Sequence, residues 1–189
     1  MERLQTRLDG PILVRPVVHG DERGFFHEVY RRNAYESLGI PEEFVQDNHS
    51  RSRRGIVRGM HFQVGEGAAK LVRCARGAIF DVVVDIRRGS PTYGEWEGFE
   101  LTDENLHQLY CPVGFAHGFC VLSELADVMY KQTPYYREEF ERGISFRDPA
   151  IAIAWPGGLE LTPSARDARA PWLRDIEHEL PFLFEPVGA

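Results

Sequence analysis

The apolar positions of this 189-residue chain recur mostly with period two, in short runs broken by Gly, Pro, Asp or Asn. The clearest run is Ile79 to Arg87. Phe80, Val82, Val84 and Ile86 share one face of an extended strand, and Asp81, Asp85 and Arg87 point the other way. Further strands are predicted at Trp96–Leu101, His107–Cys111, Gly118–Leu122 and Val128–Gln132. Two short extended runs precede them, Pro11–Val18 and Gly24–Tyr30. Gly77 is read as the turn of a hairpin pairing Lys70–Ala75 with the Ile79 strand. One helical piece stands out, Asn33–Leu38, with Gly39 at the C-cap position and Pro41 preventing resumption. The segment from Ala165 is less regular, with short helices expected around Trp172 and Glu177. Many short strands at this spacing predict an all-β sandwich or small barrel.

No repeat or low-complexity linker divides the chain, so one domain is expected over residues 1–189, with a core at about 10–173 and a tail at 174–189. The net charge of −7 argues against a nucleic-acid partner, which needs a broad basic surface. It leaves room for a local basic pocket that takes a small anion. Cys74, Cys111 and Cys120 lack metal or redox spacing and are read as reduced and structural, which suits a cytoplasmic protein. The opening residues form no signal core, and no stretch is long and apolar enough to span a membrane.

Two segments carry candidate chemistry. In Arg58-Gly59-Met60-His61-Phe62-Gln63, strict alternation places Arg58, Met60 and Phe62 on one face and Gly59, His61 and Gln63 on the other. An isolated inward histidine is most often a hydrogen-bonded core residue. The second segment, Pro112-Val113-Gly114-Phe115-Ala116-His117-Gly118-Phe119, resembles the second motif of the cupin superfamily. Cupin metal sites add a His-x-His and a carboxylate. This chain has His61 followed by Gln63, and Cys120 and Val121 where an Asn ligand is common. Two histidines without a carboxylate partner make a poor metal site, so none is expected. Lys70 and Tyr130 are further candidates, although a strand-edge lysine and a strand tyrosine usually serve solvation and packing.

Several motifs follow one another in order along the chain. They include Asp21-x-Arg23-Gly24-Phe25-Phe26-x-Glu28, Gln46-x-Asn48-x-Ser50, Arg58 to Gln63, Lys70-Leu71-Val72 and Asp81-Val82-x-Val84-Asp85-x-Arg87. They continue through Ser90-Pro91-Thr92-x-Gly94, Pro112 to Phe119, Tyr130-Lys131, Tyr135-Tyr136, Asp148-Pro149, Trp155-Pro156 and Ser164-x-x-Asp167. Together these motifs resemble the dTDP-4-dehydrorhamnose 3,5-epimerase family, and the resemblance implies a cupin jelly roll, a homodimer with exchanged N-terminal strand contacts, and a dTDP-linked 4-keto-6-deoxyhexose as substrate. It implies His61 as base with Asp167 behind it, Lys70 at the C4 ketone oxygen, and Tyr130 as proton donor on the opposite face. Arg58 and His117 would line the sugar–phosphate region. Arg23, Phe26 and Glu28 would reach the nucleotide from a partner subunit, with Gln46 and Asn48 nearby and Tyr136 stacking on the base. Ala68 and Arg166 depart from residues common in the family at those positions, which bears on the exact sugar accepted.

The chemistry asks for such a set. A proton beside a ketone is acidic because its loss gives an enolate, so a base is needed at carbon and a cation or donor at oxygen. Imidazole suits the first task near neutral pH. Inversion needs a second proton donor on the other face. No redox cofactor is required, and no dinucleotide-binding glycine motif is present. The alternatives are an epimerase acting at C3 or C5 alone, a non-catalytic sugar-nucleotide-binding cupin, and a metal-dependent cupin enzyme.

Overall fold

The computed structural model describes residues 1–185. Thirteen strands carry the architecture: β1 (Glu2–Leu4), β2 (Ile12–Arg15), β3 (Val18–Asp21), β4 (Gly24–His27), β5 (Gln46–Arg53), β6 (Val57–Gln63), β7 (Lys70–Arg76), β8 (Ala78–Asp85), β9 (Trp96–Thr102), β10 (Gln108–Cys111), β11 (Phe115–Val121), β12 (Leu125–Gln132) and β13 (Glu141–Gly143). A six-stranded sheet runs β1-β2-β10-β7-β12-β5, and a five-stranded sheet runs β13-β6-β11-β8-β9. Hairpin β3–β4 stands apart from both sheets. The predicted all-β jelly roll is observed, with two short α-helices, α1 (Arg32–Glu36) and α2 (Leu173–Ile176).

Strand β8 shows why the pattern was readable. Phe80, Val82, Val84 and Ile86 pack in one apolar cluster on the outer face of the five-stranded sheet. Val83, from the opposite face, joins a second cluster with Val72, Leu109 and Phe119 between the sheets. The outer face is covered by the C-terminal segment, including Ile144, Phe146, Leu173 and Ile176. Leu180 and Phe182 also join it, so the expected tail contributes to the core as far as it is described. Residues 186–189 of that tail lie outside the described residues. Across the molecule, Ile12, Val14 and Leu71 form the outer apolar face of the six-stranded sheet, and Tyr35 and Ile40 cover it. Helix α1 ends as its glycine predicts: Gly39 has φ +90°, its N–H donates to the Glu36 carbonyl, and the Ile40 N–H donates to the Tyr35 carbonyl.

The predicted Gly77 hairpin is not formed. β7 pairs with β10 and β12, and β8 pairs with β9 and β11, so the chain crosses from one sheet to the other at Gly77. A Cβ there would lie 2.2 Å from the Leu125 carbonyl oxygen, so the crossing admits no side chain. A short polar step between two apolar runs looks the same in sequence whether the runs pair or part.

All three cysteines are buried and unpaired, as expected. Burial pushes their thiols up to about 12, 12 and 11 for Cys74, Cys111 and Cys120. Such thiols stay protonated and unreactive at neutral pH. Among the described residues, no helix is long and apolar enough to cross a membrane.

Candidate active site

A cavity of about 420 Å³ opens between the two sheets. β6 contributes Arg58 and His61, β7 contributes Lys70, β11 contributes His117 and Phe119, and β12 contributes Tyr130. Ser50 from β5 and the segment carrying Ser164, Arg166 and Asp167 complete it. Six of the sequence-predicted residues therefore meet around one space: His61, Asp167, Lys70, Tyr130, Arg58 and His117.

Strict alternation had placed Arg58 and His61 on opposite faces, and that expectation fails. His117 is the register partner of His61, while Phe119 is the partner of Arg58. Two residues, Gly59 and Met60, thus stand against Gly118 alone, which is the arrangement of a β-bulge. The extra residue turns Arg58 to the same side as His61, while Met60 and Phe62 pack in the outer cluster. Gly59 makes the bulge possible. Its φ is +122°, and a Cβ there would approach Gly118 Cα to 2.5 Å and the His117 carbonyl oxygen to 2.8 Å.

His61 Nε2 lies 2.6 Å from Asp167 Oδ1. Arg166 Nη2 also lies 2.8 Å from the same nitrogen. One Nε2 cannot donate to a carboxylate and accept from a guanidinium together. The carboxylate contact is shorter and charge-assisted, so Nε2–H donates to Asp167 and the lone pair resides on Nδ1. Arg166 is held instead by Glu141, whose Oε1 is 3.3 Å from Nη2. Burial alone would raise the Asp167 carboxyl, but hydrogen bonds from His61 and Ser164 and the nearby Arg166 charge outweigh it and hold it below the usual carboxylate value. Asp167 therefore stays ionised behind the imidazole.

Lys70 and Tyr130 are neighbours across the cavity, with Nζ 5.9 Å from the phenol ring centroid. Burial, reinforced by the Glu141 charge, raises the Tyr130 phenol above its ordinary value, so it keeps its proton at neutral pH. Arg58 Nε donates to Ser52 Oγ at 3.0 Å. His117 Nε2 is 2.7 Å from Asp81 Oδ1.

The other predicted residues lie outside this cavity. Gln46, Asn48 and Tyr136 form a cluster of their own. Gln46 Nε2 donates to Asn48 Oδ1 at 2.9 Å, and the Tyr136 N–H donates to Gln46 Oε1 at 2.8 Å. Asn48 is the register partner of Tyr130, so the cluster sits at β5, beside the strand that carries Tyr130. Arg23 and Phe26 line a separate hollow on hairpin β3–β4, where Arg23 pairs with Asp21 and Phe26 is 71% exposed. Glu28 follows that hairpin and pairs with Arg31 at 3.2 Å. Within one chain, these three do not reach the histidines.

Glu141 was not singled out from sequence, and neither Asp81 nor Arg166 was read as a partner of a cavity histidine. Glu141 comes from β13, whose Gly143 is the register partner of His61, a pairing no local pattern announces. Asp81 did carry a signal, because the alternation of β8 turns it away from the apolar outer face.

The model of the dTDP-4-dehydrorhamnose 3,5-epimerase family matches residues 5–175. This chain belongs to that family. A dTDP-4-dehydrorhamnose 3,5-epimerase from Salmonella typhimurium is 51% identical over 172 residues, covering 90% of this chain and 94% of the relative. One from Pseudomonas aeruginosa is 53% identical over 154 residues, covering 80% and 85% respectively. Among solved structures, the Legionella pneumophila dTDP-6-deoxy-D-glucose-3,5-epimerase, crystallised with dTDP-4-keto-L-rhamnose, is similar with a TM-score of 0.94. It is 46% identical, and the match covers 98% of this chain and 99% of that one. Membership of the epimerase family fits a cavity that offers a His–carboxylate pair, an ammonium and a protonated phenol together.

Proposed function

We propose that this protein inverts C3 and C5 of dTDP-4-dehydro-6-deoxy-D-glucose, giving dTDP-4-dehydro-L-rhamnose. The observation that carries the proposal is the shared cavity of the His61–Asp167 pair, Lys70 and Tyr130. His61 abstracts the proton from the carbon beside the C4 ketone. Asp167 orients the ring and stabilises the imidazolium that forms. Negative charge moves onto the C4 oxygen, where the Lys70 ammonium stabilises the enolate. Tyr130 returns a proton from the opposite face, which completes inversion. The sequence repeats at the second carbon. No electron leaves or enters the sugar, so the chemistry calls for no redox cofactor.

Arg58 and His117 hold the sugar–phosphate portion in this reading, and Tyr136, Gln46 and Asn48 take the base. Arg23, Phe26 and Glu28 serve the site of a second subunit in a homodimer. The exposed Phe25 and Phe26 of the detached hairpin support that arrangement, since isolated two-stranded hairpins seek cover.

Incubating the native protein with the 4-keto sugar nucleotide in D₂O tests the proposal. Deuterium at both C3 and C5 is expected. Label at one carbon alone would replace it by a single-centre epimerase, and no label would end the epimerase reading for this substrate.

A further inference from the structure

Asp81 holds one end of the cavity's second imidazole from behind. The alternation of β8 sends Phe80, Val82 and Val84 outward, so Asp81 faces the interior and is fully buried. Its Oδ1 lies 2.7 Å from His117 Nε2. Its Oδ2 is also buried and has no hydrogen-bond partner. A carboxylate kept in a core for packing normally has both oxygens satisfied, because an orphaned buried oxygen is costly. This one directs its hydrogen bonding at a single group, and that group lines the cavity.

We propose that Asp81 is a positioning residue that fixes the tautomer and orientation of His117. The carboxylate only accepts, so the proton on His117 stays on Nε2, and Nδ1 becomes the ring atom offered to a bound molecule. His117 and His61 are register partners across β6 and β11, so two imidazoles, each held through Nε2 by its own carboxylate, serve the same space. His61 is the more open, with 22% of its side chain exposed against 7% for His117. The first can exchange protons with solvent as a base must. The second is a fixed polar contact whose polarity Asp81 selects. Asn at position 81 keeps the shape but can donate its amide N–H to Nε2. That moves the ring proton to Nδ1 and reverses the polarity met by the substrate.

The expected effect on turnover rests on the epimerase reading above, whereas the tautomer does not. In ¹⁵N-histidine-labelled native protein, the His117 resonances should show a protonated Nε2. A proton on Nδ1 with Nε2 bare would overturn the proposal whatever the activity, and this measurement needs no variant. In Asp81→Asn the proton should move to Nδ1, with kcat/KM falling by at least about tenfold. Adding Asp81→Asn to His117→Asn should cost nothing further, since the residue acts through that ring. Losses that add in the double variant, or an Asp81→Asn variant with native His117 resonances and native kcat/KM, would refute it. An inactive native protein with the expected Nε2 proton would leave the tautomer standing and remove only the epimerase reading.

Discussion

His61 and His117 stand opposite each other on paired strands, and each is bonded through Nε2 to a separate carboxylate, Asp167 at 2.6 Å and Asp81 at 2.7 Å. The first pair has a cationic neighbour in Arg166 and an opening to solvent, while the second is enclosed. That difference in surroundings suits the roles proposed for them, a base that exchanges its proton and a rigid substrate contact.

In the proposed reaction Asp167 orients and supports His61 without touching the sugar carbon. Asp167→Asn should lower kcat by roughly 10²- to 10⁴-fold. KM and dTDP affinity should change by no more than a few-fold. Steady-state kinetics with dTDP titration check this, and a native kcat would remove Asp167 from the catalytic pair.

Tyr130 keeps its proton and faces the cavity with Lys70. In the proposed reaction Tyr130→Phe removes the donor on the far face but leaves the base. Abstraction by His61 and return from the same side then continue. Recovered substrate should gain deuterium from D₂O faster than product appears. Equal loss of exchange and inversion would show that Tyr130 is needed for abstraction as well.

The bulge that brings Arg58 beside His61 depends on Gly59. Gly59→Ala should destabilise the protein by about 3 kcal/mol or more, from a strained backbone and a clash with Gly118 and His117. Gly157 has open space at its Cβ position, and Gly157→Ala should change stability by under about 1 kcal/mol. Urea denaturation of the two variants compares them directly, and equal stabilities would refute this account of the bulge.

Asp85 anchors the turn after β8. Its carboxylate accepts from Arg87, Ser90 and Thr92 while fully buried. Burial alone would raise its pKa, but those hydrogen bonds outweigh it and hold the group below its ordinary value. A carboxyl depressed by folding adds stability above its unfolded pKa and loses it as pH falls through the folded one. Asp85→Asn should therefore cost about 2–4 kcal/mol at pH 7. The gap from the native protein should shrink once pH drops below about 4. A gap of equal size at pH 7 and pH 3 would contradict the sign.

Much of the fold was legible because local rules decided it. Period-two alternation fixed the faces of β8, and a glycine after a helical run fixed the end of α1. Gly77 reads as a hairpin turn although none forms, because strand pairing is a non-local choice and two adjacent runs that enter different sheets carry the same letters as a hairpin. The six cavity residues came from family resemblance as much as from residue chemistry. Residue periodicity alone separated Arg58 from His61, because a bulge shifts the count by one and leaves only a glycine as its mark. The contacts of Glu141 and Arg166 with His61 were not legible for another reason, since they are made from 80 and 105 positions further along the chain. Asp81 could have been found by asking what an aspartate on an inward face was bonded to.

The central claim is that His61 removes the proton beside the ketone. Deuterium incorporation at C3 and C5 of the 4-keto sugar nucleotide in D₂O, followed by NMR for native protein and His61→Ala side by side, tests it most directly. The native protein should label both carbons, and the variant should still bind dTDP yet label neither above the uncatalysed rate. Undiminished exchange in His61→Ala would contradict the assignment.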